Sequence, residues 1–141
     1  MISEVKALRW VVEHDRMAFR SHVHTEDVRA GDPFVLYVTR GAYHNPTSGE
    51  SQVLGLGRFT SEVQSRRATV HGETFPKSAS IKVEAVLAER SGMPFKPLVD
   101  DLSFIAKKAG WPAYLRSSLV RVSEADVQVI RSAFQAYRRA L

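Results

Sequence analysis

The segment PFVLYVTR, residues 33–40, most constrains the fold because almost every side chain in it is apolar. Consecutive branched and aromatic residues favour a β-strand that is buried on both faces. A chain of 141 residues has the usual length of one domain and can bury such a strand in a core. The segment therefore predicts a central strand, and Pro33 lies at its first position, where a missing N–H is least harmful.

Three further segments have the pattern of strands. Residues 7–14, ALRWVVEH, alternate in a way that predicts a first strand. Residues 52–63 predict another, in which Gly55 and Gly57 face the same side and let a second backbone or a flat ligand come close. Residues 79–90 alternate between apolar and charged side chains, which predicts a half-buried strand.

Helical signals are concentrated in the last third of the chain. Residues 98–108 predict a short helix, and residues 110–118 predict a compact turn that becomes helical after Pro112. Ser123 is a suitable N-cap for a final helix with acidic residues in its first turn. The apolar stripe of this helix is expected to consist of Val127, Ile130, Phe134, Tyr137 and Leu141.

Strands outnumber the helices that could connect them in parallel. Short strands are also expected within residues 66–75 and at residues 119–123, and a short helix near residues 25–28. The sheet should therefore be mixed or antiparallel, and curled. The predicted fold class is α+β, with a barrel-like sheet and flanking short helices plus a C-terminal helix, in a single domain over residues 1–141.

The charge of the chain favours an anionic partner without requiring one. The net charge is +5, from 20 basic and 15 acidic residues, and such a balance attracts polyanions at long range. The absence of cysteine excludes a disulfide framework and a thiolate zinc site. With no apolar run near the roughly 20 residues of a membrane span and no signal-peptide pattern, we expect a cytoplasmic protein that does not contact membranes.

Three stretches of the sequence are similar to one known family. The first is the tryptophan-bearing LRWVVEH, residues 8–14. The second is AGDPFVLYVTRGAYHNPTSGESQVLGLGRFTSEV, residues 30–63, and the third is LSFIAKKAGWPAYLRSSLVRVSEADVQVI, residues 102–130. Together they resemble the EVE domain family of the PUA-like superfamily, whose relatives include the YTH domains.

The resemblance implies a barrel-like sheet with a concave pocket that recognises a modified base. The expected partner is therefore DNA or RNA that carries such a base, with no cofactor and no metal. The sequence departs from the better-known members at two places. It has EHDR at residues 13–16 where they have a KSEP-like segment, and Tyr37-Val38-Thr39 where they have a Tyr-His-Ser run.

A pocket for an extruded base needs a flat apolar surface and polar groups that address the base edge. Stacking on one aromatic ring contributes roughly 1–3 kcal/mol, and flipping costs a few, so phosphate and edge contacts must supply the remainder. The candidate base pocket consists of Trp10, Glu13, His14, Tyr37, Thr39, Arg40, Tyr43, His44 and Trp111. The candidate phosphate contacts are Arg16, Arg20, Arg66, Arg67 and Arg116.

Other roles for these residues stay open at this point. Trp10 and Tyr37 also suit the core, although they could border one cleft if their strands are neighbours. Glu13 or His14, or His44 with Arg40, could serve a PUA-like nuclease that acts on RNA. A third possibility is a domain that binds a small molecule or another protein. His22 and His24 make a poor metal site, because no third ligand follows at a fixed spacing.

Overall fold

The computed structural model describes residues 5–39, 42 and 50–141. The α-helices and 3₁₀ helices in these ranges are α1 (Val5–His14), α2 (Glu124–Arg139) and two 3₁₀ helices, Lys96–Asp101 and Lys108–Leu115. The strands are β1 (Arg16–Phe19), β2 (Pro33–Val38), β3 (Gln52–Phe59), β4 (Ala68–Val70), β5 (Glu73–Phe75), β6 (Lys77–Val86) and β7 (Met93–Pro94).

The main sheet is antiparallel and curled. Its strands follow the order β1-β6-β3-β2, and β7 pairs with the beginning of β3. Strands β4 and β5 form a separate hairpin. The predicted α+β class is confirmed, with a half-barrel sheet, short helices and a C-terminal helix that are consistent with a PUA-like fold. All the described strand pairs are antiparallel.

The main sheet is buried on both faces and separates two hydrophobic clusters. Phe34, Leu36 and Val38 of β2 belong to one cluster, which also includes buried residues of α1 and is named here the α1 cluster. Tyr37 belongs to the other, which includes residues of the 3₁₀ helices and α2 and is named the α2 cluster. This alternation follows from the pleat of the strand. Burial of β2 on both faces is confirmed, but β2 lies at the end of the strand order and ends at Val38.

The two glycines of β3 allow neighbouring chains to approach closely. A Cβ atom built on Gly55 would lie 2.7 Å from the carbonyl oxygen of Ala85 in β6. A Cβ atom built on Gly57 would overlap both the carbonyl oxygen of Lys82 and the ring of Phe34. The prediction that these glycines admit a second backbone is confirmed, and the space beside them is filled by β6 and by a core ring.

Residues 7–14 belong to a helix, so the predicted first strand is wrong. A strand would place Arg9, Val11 and Glu13 on one face, yet Val11 is buried while Arg9 and Glu13 are exposed. The two exposed residues lie four apart, as neighbours on one face of a helix do. The segment is short enough to fit both periods, and the helical one allows Leu8 and Val11 to pack together in the α1 cluster.

Several shorter predictions also fail. Residues 16–19, for which no strand was predicted, form β1, which pairs with β6. The helix expected near residues 25–28 is a turn closed by the bond from the N–H of Val28 to the carbonyl of Thr25 (3.2 Å). Residues 66–75 contain a hairpin where one strand was expected, and residues 119–123 form no strand.

The helix predicted over residues 98–108 is also wrong. The first 3₁₀ helix ends at Asp101, and Leu102 already has extended backbone angles. Lys108 compensates for the missing helical bonds, since its Nζ donates to the carbonyl oxygens of Val99 (3.0 Å) and Leu102 (2.7 Å). Pro97 lies in the first turn of the first 3₁₀ helix and Pro112 lies within the second, so both prolines fall outside residues 98–108.

The C-terminal helix forms as predicted. The Ser123 hydroxyl accepts a hydrogen bond from the N–H of Asp126 (3.2 Å), and Ile130 and Phe134 are buried in the α2 cluster. Tyr137 packs against the same cluster and Val127 is half-buried, whereas the expected stripe is wrong at Leu141, which lies beyond the helix and is 72% exposed. Neither α2 nor any other helix in the described ranges is long and apolar enough to cross a membrane.

The packing at β3 generates the first testable prediction. We expect Gly57→Ala to lower the free energy of unfolding by about 2 kcal/mol, because a methyl group forced into a closed site costs about 1–3 kcal/mol. Urea unfolding followed by circular dichroism measures this change. Gly110→Ala is the matched control, since nothing lies within 4 Å of a Cβ atom built there. Equal stability of the two variants would contradict the close packing at Gly57.

Candidate functional site

Three aromatic rings from distant parts of the chain lie in a row on the α2 side of the sheet. The ring centroids of Tyr37 and Phe95 are 5.1 Å apart, with planes at 77°. Those of Phe95 and Trp111 are 5.5 Å apart, with planes at 44°. Tyr37 and Phe95 are buried, whereas Trp111 is half-buried. These residues are named here the ring row.

The ring row contains two predicted pocket residues, Tyr37 and Trp111, and one that the sequence reasoning missed. Phe95 contacts both, and it lies near Tyr37 because β7 pairs with the beginning of β3, where Val53 pairs with both Tyr37 and Met93. The only signal for Phe95 in the sequence is an aromatic residue within a proline-rich link, and that signal is weak.

Ser51, the residue before β3, is hydrogen-bonded to two members of the ring row, Phe95 and Tyr37. Its carbonyl oxygen accepts a hydrogen bond from the N–H of Phe95 (3.0 Å), and its side chain shares a hydrogen bond with the hydroxyl of Tyr37. Gln52, the next residue, pairs with Val38. The two ends of the intervening segment are therefore held together beside Tyr37.

The environment of Tyr37 keeps its hydroxyl protonated. Burial raises the pKa of Tyr37 above its ordinary value of 10.0, and the hydrogen bond with Ser51 opposes this shift only in part. The phenol is therefore neutral at physiological pH and can both donate and accept hydrogen bonds.

Trp10 lies on the other side of the sheet, in the α1 cluster. Its ring stacks on that of His14 with centroids 4.6 Å apart and planes at 19°, as expected for residues one turn apart on α1. The His14 Nδ1 atom also lies 2.9 Å from the carbonyl oxygen of Trp10. The expectation that Trp10 and Tyr37 border one cleft is wrong, because they belong to different clusters.

Glu13 opens onto an apolar groove of ≈ 340 Å³ beside α1. The groove lies between α1 and the ends of β3 and β6, and its apolar lining includes Val12 and Val86. Its rim carries a bidentate ion pair between Arg9 and Glu89, with N···O distances of 2.7 and 2.9 Å. Glu13 and His14 are thus both exposed on α1, away from the ring row.

Three residues of the predicted base pocket lie outside the part of the chain that the structure describes. These are Arg40, Tyr43 and His44. Thr39 is described, is half-buried, and accepts a hydrogen bond through its carbonyl oxygen from the N–H of Ala42 (3.1 Å). Thr39 follows Tyr37 by two residues, so contacts between the edge of a base and the residues after β2 would begin next to the ring row.

Three of the predicted phosphate contacts lie together. Arg16 Nη2 donates to the hydroxyl of Ser78 (2.6 Å) and to the carbonyl oxygen of Arg67 (3.5 Å). The same hydroxyl donates to the carbonyl oxygen of Arg66 (2.9 Å). Arg16 is half-buried, whereas Arg66 and Arg67 are exposed. The hydrogen bonds of Arg16 and Ser78 hold the backbone of these two exposed arginines next to Arg16.

The other two predicted phosphate contacts lie elsewhere. Arg20 forms an ion pair with Glu73 and lies over the ring of Phe75, 5.1 Å from its centroid. Arg116 is exposed directly after the 3₁₀ helix that carries Trp111. Arg116 thus lies on a different element of the fold from the other four arginines, which are on or beside β1 and β4.

Asp126 is a buried carboxylate that the sequence reasoning placed only in the first turn of α2. It is 3% exposed and accepts hydrogen bonds from the N–H of Ser103 (2.9 Å), the hydroxyl of Ser103 (2.7 Å) and the N–H of Phe104 (2.9 Å). Burial opposes its ionisation, but these hydrogen bonds outweigh that effect and lower the pKa of Asp126. The carboxylate joins α2 to the irregular segment that leads to Trp111.

The described residues contain no cluster of three or more His, Asp or Glu side chains that could hold a metal ion. His22 and His24 are exposed on either side of the buried Val23. Within the described chain, these two histidines therefore have no third ligand beside them.

Comparisons with known proteins identify the family. No protein-family model matches the chain. A UPF0310 protein of Pyrococcus abyssi is 30% identical over 120 residues, which cover 80% of this chain and 81% of that protein. A UPF0310 protein of Mycolicibacterium vanbaalenii is 48% identical over 40 residues, 28% of each chain. The chain belongs to the UPF0310 family.

The hydrogen bonds of Asp126 generate a prediction about pH. Because folding lowers its pKa, the stability that the carboxylate contributes is complete above the unfolded value, about 3.9, and is lost as the pH falls through the lower folded value. We expect Asp126→Asn to lower the free energy of unfolding at pH 7 by about 1–2 kcal/mol and to flatten its decline below about pH 4.

Thermal unfolding measured by circular dichroism from about pH 2 to pH 7 tests this expectation. Asp100→Asn is the control, because Asp100 is exposed next to the same segment and should change neither the stability nor the slope. An Asp126→Asn variant with the acid sensitivity of the original protein would refute the role of this carboxylate.

Proposed function

We propose that this UPF0310 protein is an EVE-type domain that recognises a modified or flipped base in DNA or RNA. The observation that carries the proposal is the ring row, which lies where β2 ends and the polar segment of residues 40–49 begins. The similarity of three sequence stretches to EVE domains and the net charge of +5 also support it.

The ring row has the properties of a stacking platform. Trp111 is half-buried, so part of its indole faces solvent while the rest packs on the buried ring of Phe95. Phe95 is in turn held by the backbone bond to Ser51 and by contact with Tyr37. A platform that is rigid before binding loses little conformational entropy when a base stacks on it.

The energetics require further contacts beyond stacking. One aromatic ring contributes roughly 1–3 kcal/mol per base, and extrusion of the base costs a few kcal/mol. In the proposal the remainder comes from Thr39, Arg40 and His44, which follow β2 and address the base edge, from Tyr43 as a further aromatic wall, and from phosphate contacts. Arg116 is the first candidate among the latter, because it follows Trp111 by five residues.

Trp10, Glu13 and His14 are not part of this platform. His14 covers one face of the indole of Trp10, and only 8% of Trp10 is exposed. A base could therefore stack on Trp10 only after the His14 ring and the surrounding core had moved. The proposal assigns stacking to Trp111.

The first test compares Trp111→Ala with the original protein. Fluorescence anisotropy measures binding to a labelled oligonucleotide panel in which one sequence carries a methylated or unmodified base, as single-stranded DNA and as RNA. We expect Trp111→Ala to weaken binding of the preferred modified oligonucleotide about 10- to 100-fold, the loss of one stacking contact. Trp111→Phe keeps a ring at this position and should retain most of the affinity.

Two outcomes would overturn the proposal. One is equal affinity for modified and unmodified oligonucleotides across the panel. The other is an unchanged preference in a folded Trp111→Ala variant, as judged by circular dichroism. Labelled RNA should also stay intact with and without divalent metal; cleavage that is abolished by His44→Ala or His14→Ala would assign the protein to the nucleases instead.

A further inference from the structure

A second groove, which has a polar lining, lies along α2. It has a volume of ≈ 430 Å³ and is named here the α2 groove. Its lining consists of Arg58, Gln128, Arg131, Ser132, Gln135 and Arg139. None of these residues belongs to the predicted base pocket or to the five predicted phosphate contacts.

The groove is built from one face of α2 and from β3. The residues of α2 that line it recur every three or four positions, which places them along one side of the helix. Gln128 donates through Nε2 to the hydroxyl of Ser132 (3.0 Å), so two of the polar groups are already oriented. Arg58 projects from the neighbouring strand and completes the opposite side.

Two of the arginines converge on one carboxylate at the groove. Arg131 Nη2 lies 3.3 Å from Glu84 Oε1, and Arg58 Nε lies 3.8 Å from Glu84 Oε2. The two guanidinium groups thus approach different oxygens of the same anionic group. With Arg139, three positive charges surround the groove and Glu84 balances one of them.

Arg131 is less exposed than Arg58 and Arg139. Its side chain is only 18% exposed, and its Nη1 atom is buried without a hydrogen-bond partner among the described residues. Burial strengthens the attraction of a guanidinium for an anion, because water screens the charge less. Arg131 should therefore attract an anion in the groove more strongly than a fully exposed arginine would.

We propose that the α2 groove binds phosphate groups. A guanidinium presents a planar set of N–H donors that matches the oxygens of a phosphate, and it keeps its charge at every physiological pH. Gln128, Gln135 and Ser132 add neutral donors of the kind that contact phosphates in nucleic-acid complexes. Glu84 already shows that Arg58 and Arg131 can hold one two-oxygen anion between them, and a phosphate competes with it for the same donors.

The phosphate can belong to a nucleic-acid backbone or to a free phosphate compound. The shared chemistry is a tetrahedral oxyanion with more negative charge and more oxygens than the carboxylate of Glu84. This site is independent of base recognition at the ring row, since its residues lie on α2 and β3, whereas those of the ring row lie on β2 and on or beside the two 3₁₀ helices. Its failure would therefore leave the proposed function standing, and the reverse also holds.

The test measures two probes on the full chain. Isothermal titration calorimetry measures inorganic pyrophosphate, and fluorescence anisotropy measures an unmodified labelled single-stranded oligonucleotide at low and physiological salt. We expect Arg139→Ala to weaken binding of at least one probe about tenfold, as for the loss of one charge-assisted contact. Glu84→Gln should instead strengthen it about threefold, because it removes the competing charge while it preserves shape.

Arg138→Ala is the matched control. Arg138 is the neighbour of Arg139 in the last turn of α2, has the same charge and is exposed, but it does not line the groove. It should bind both probes as the original protein does. An equal loss in the two arginine variants would mean that only net charge matters and would overturn the proposal.

The remaining outcomes separate the two sources of phosphate. Binding of the oligonucleotide that depends on Arg139 supports a backbone ligand, and binding of pyrophosphate alone supports a free phosphate compound. Failure of both probes to bind, or weaker binding by a folded Glu84→Gln variant, would refute the site. Trp111→Ala should leave pyrophosphate binding unchanged, which distinguishes this result from a loss of base recognition.

Discussion

The close approach of β6 to the two glycines of β3 is the constraint on which the rest of the structure depends. At Gly55 and Gly57 the carbonyl oxygens of β6 and the ring of Phe34 occupy the space that side chains would fill. The sheet can therefore curl and still be covered on both faces, by the α1 cluster and by the α2 cluster. Because the faces are used for packing, ligands have access mainly at strand ends and beside the helices, where the ring row and the α2 groove lie.

The segment between the first 3₁₀ helix and Trp111 is held by charged side chains in place of regular helical bonds. Lys108 binds two carbonyl oxygens at its start, and Asp126 binds two N–H groups and one hydroxyl. Unpaired backbone groups are costly when buried, so these two residues make an irregular path tolerable. They also position the chain that places Trp111 against Phe95, which links the stability of this region to the proposed stacking surface.

The sequence predicts those parts of the fold in which one pattern extends over many residues. These are the apolar strand predicted over residues 33–40, the alternating strand predicted over 79–90 and the capped final helix, which the structure places at Pro33–Val38, Lys77–Val86 and Glu124–Arg139. Residues 7–14 fit both the strand period and the helix period, and the strand prediction is wrong. Phe95 and the α2 groove could not be predicted, since each depends on strand pairing or packing between distant elements. The sequence marks Tyr37 and Trp111 as candidate rings, but their contacts with Phe95 depend on the pairing of β7 with β3 and on the packing of the second 3₁₀ helix.

The hydrogen bond between Tyr37 and Ser51, together with the pairing of Val38 with Gln52, closes the intervening segment at its base. When the ends of a segment are fixed in this way, each doubling of its length costs only about 0.6 kcal/mol in closure entropy. Substitutions or insertions within residues 40–49 should therefore be tolerated without a change in the strand pairing of the sheet. In an engineered domain, this stretch could be exchanged to alter ligand preference while the sheet and helices stay the same.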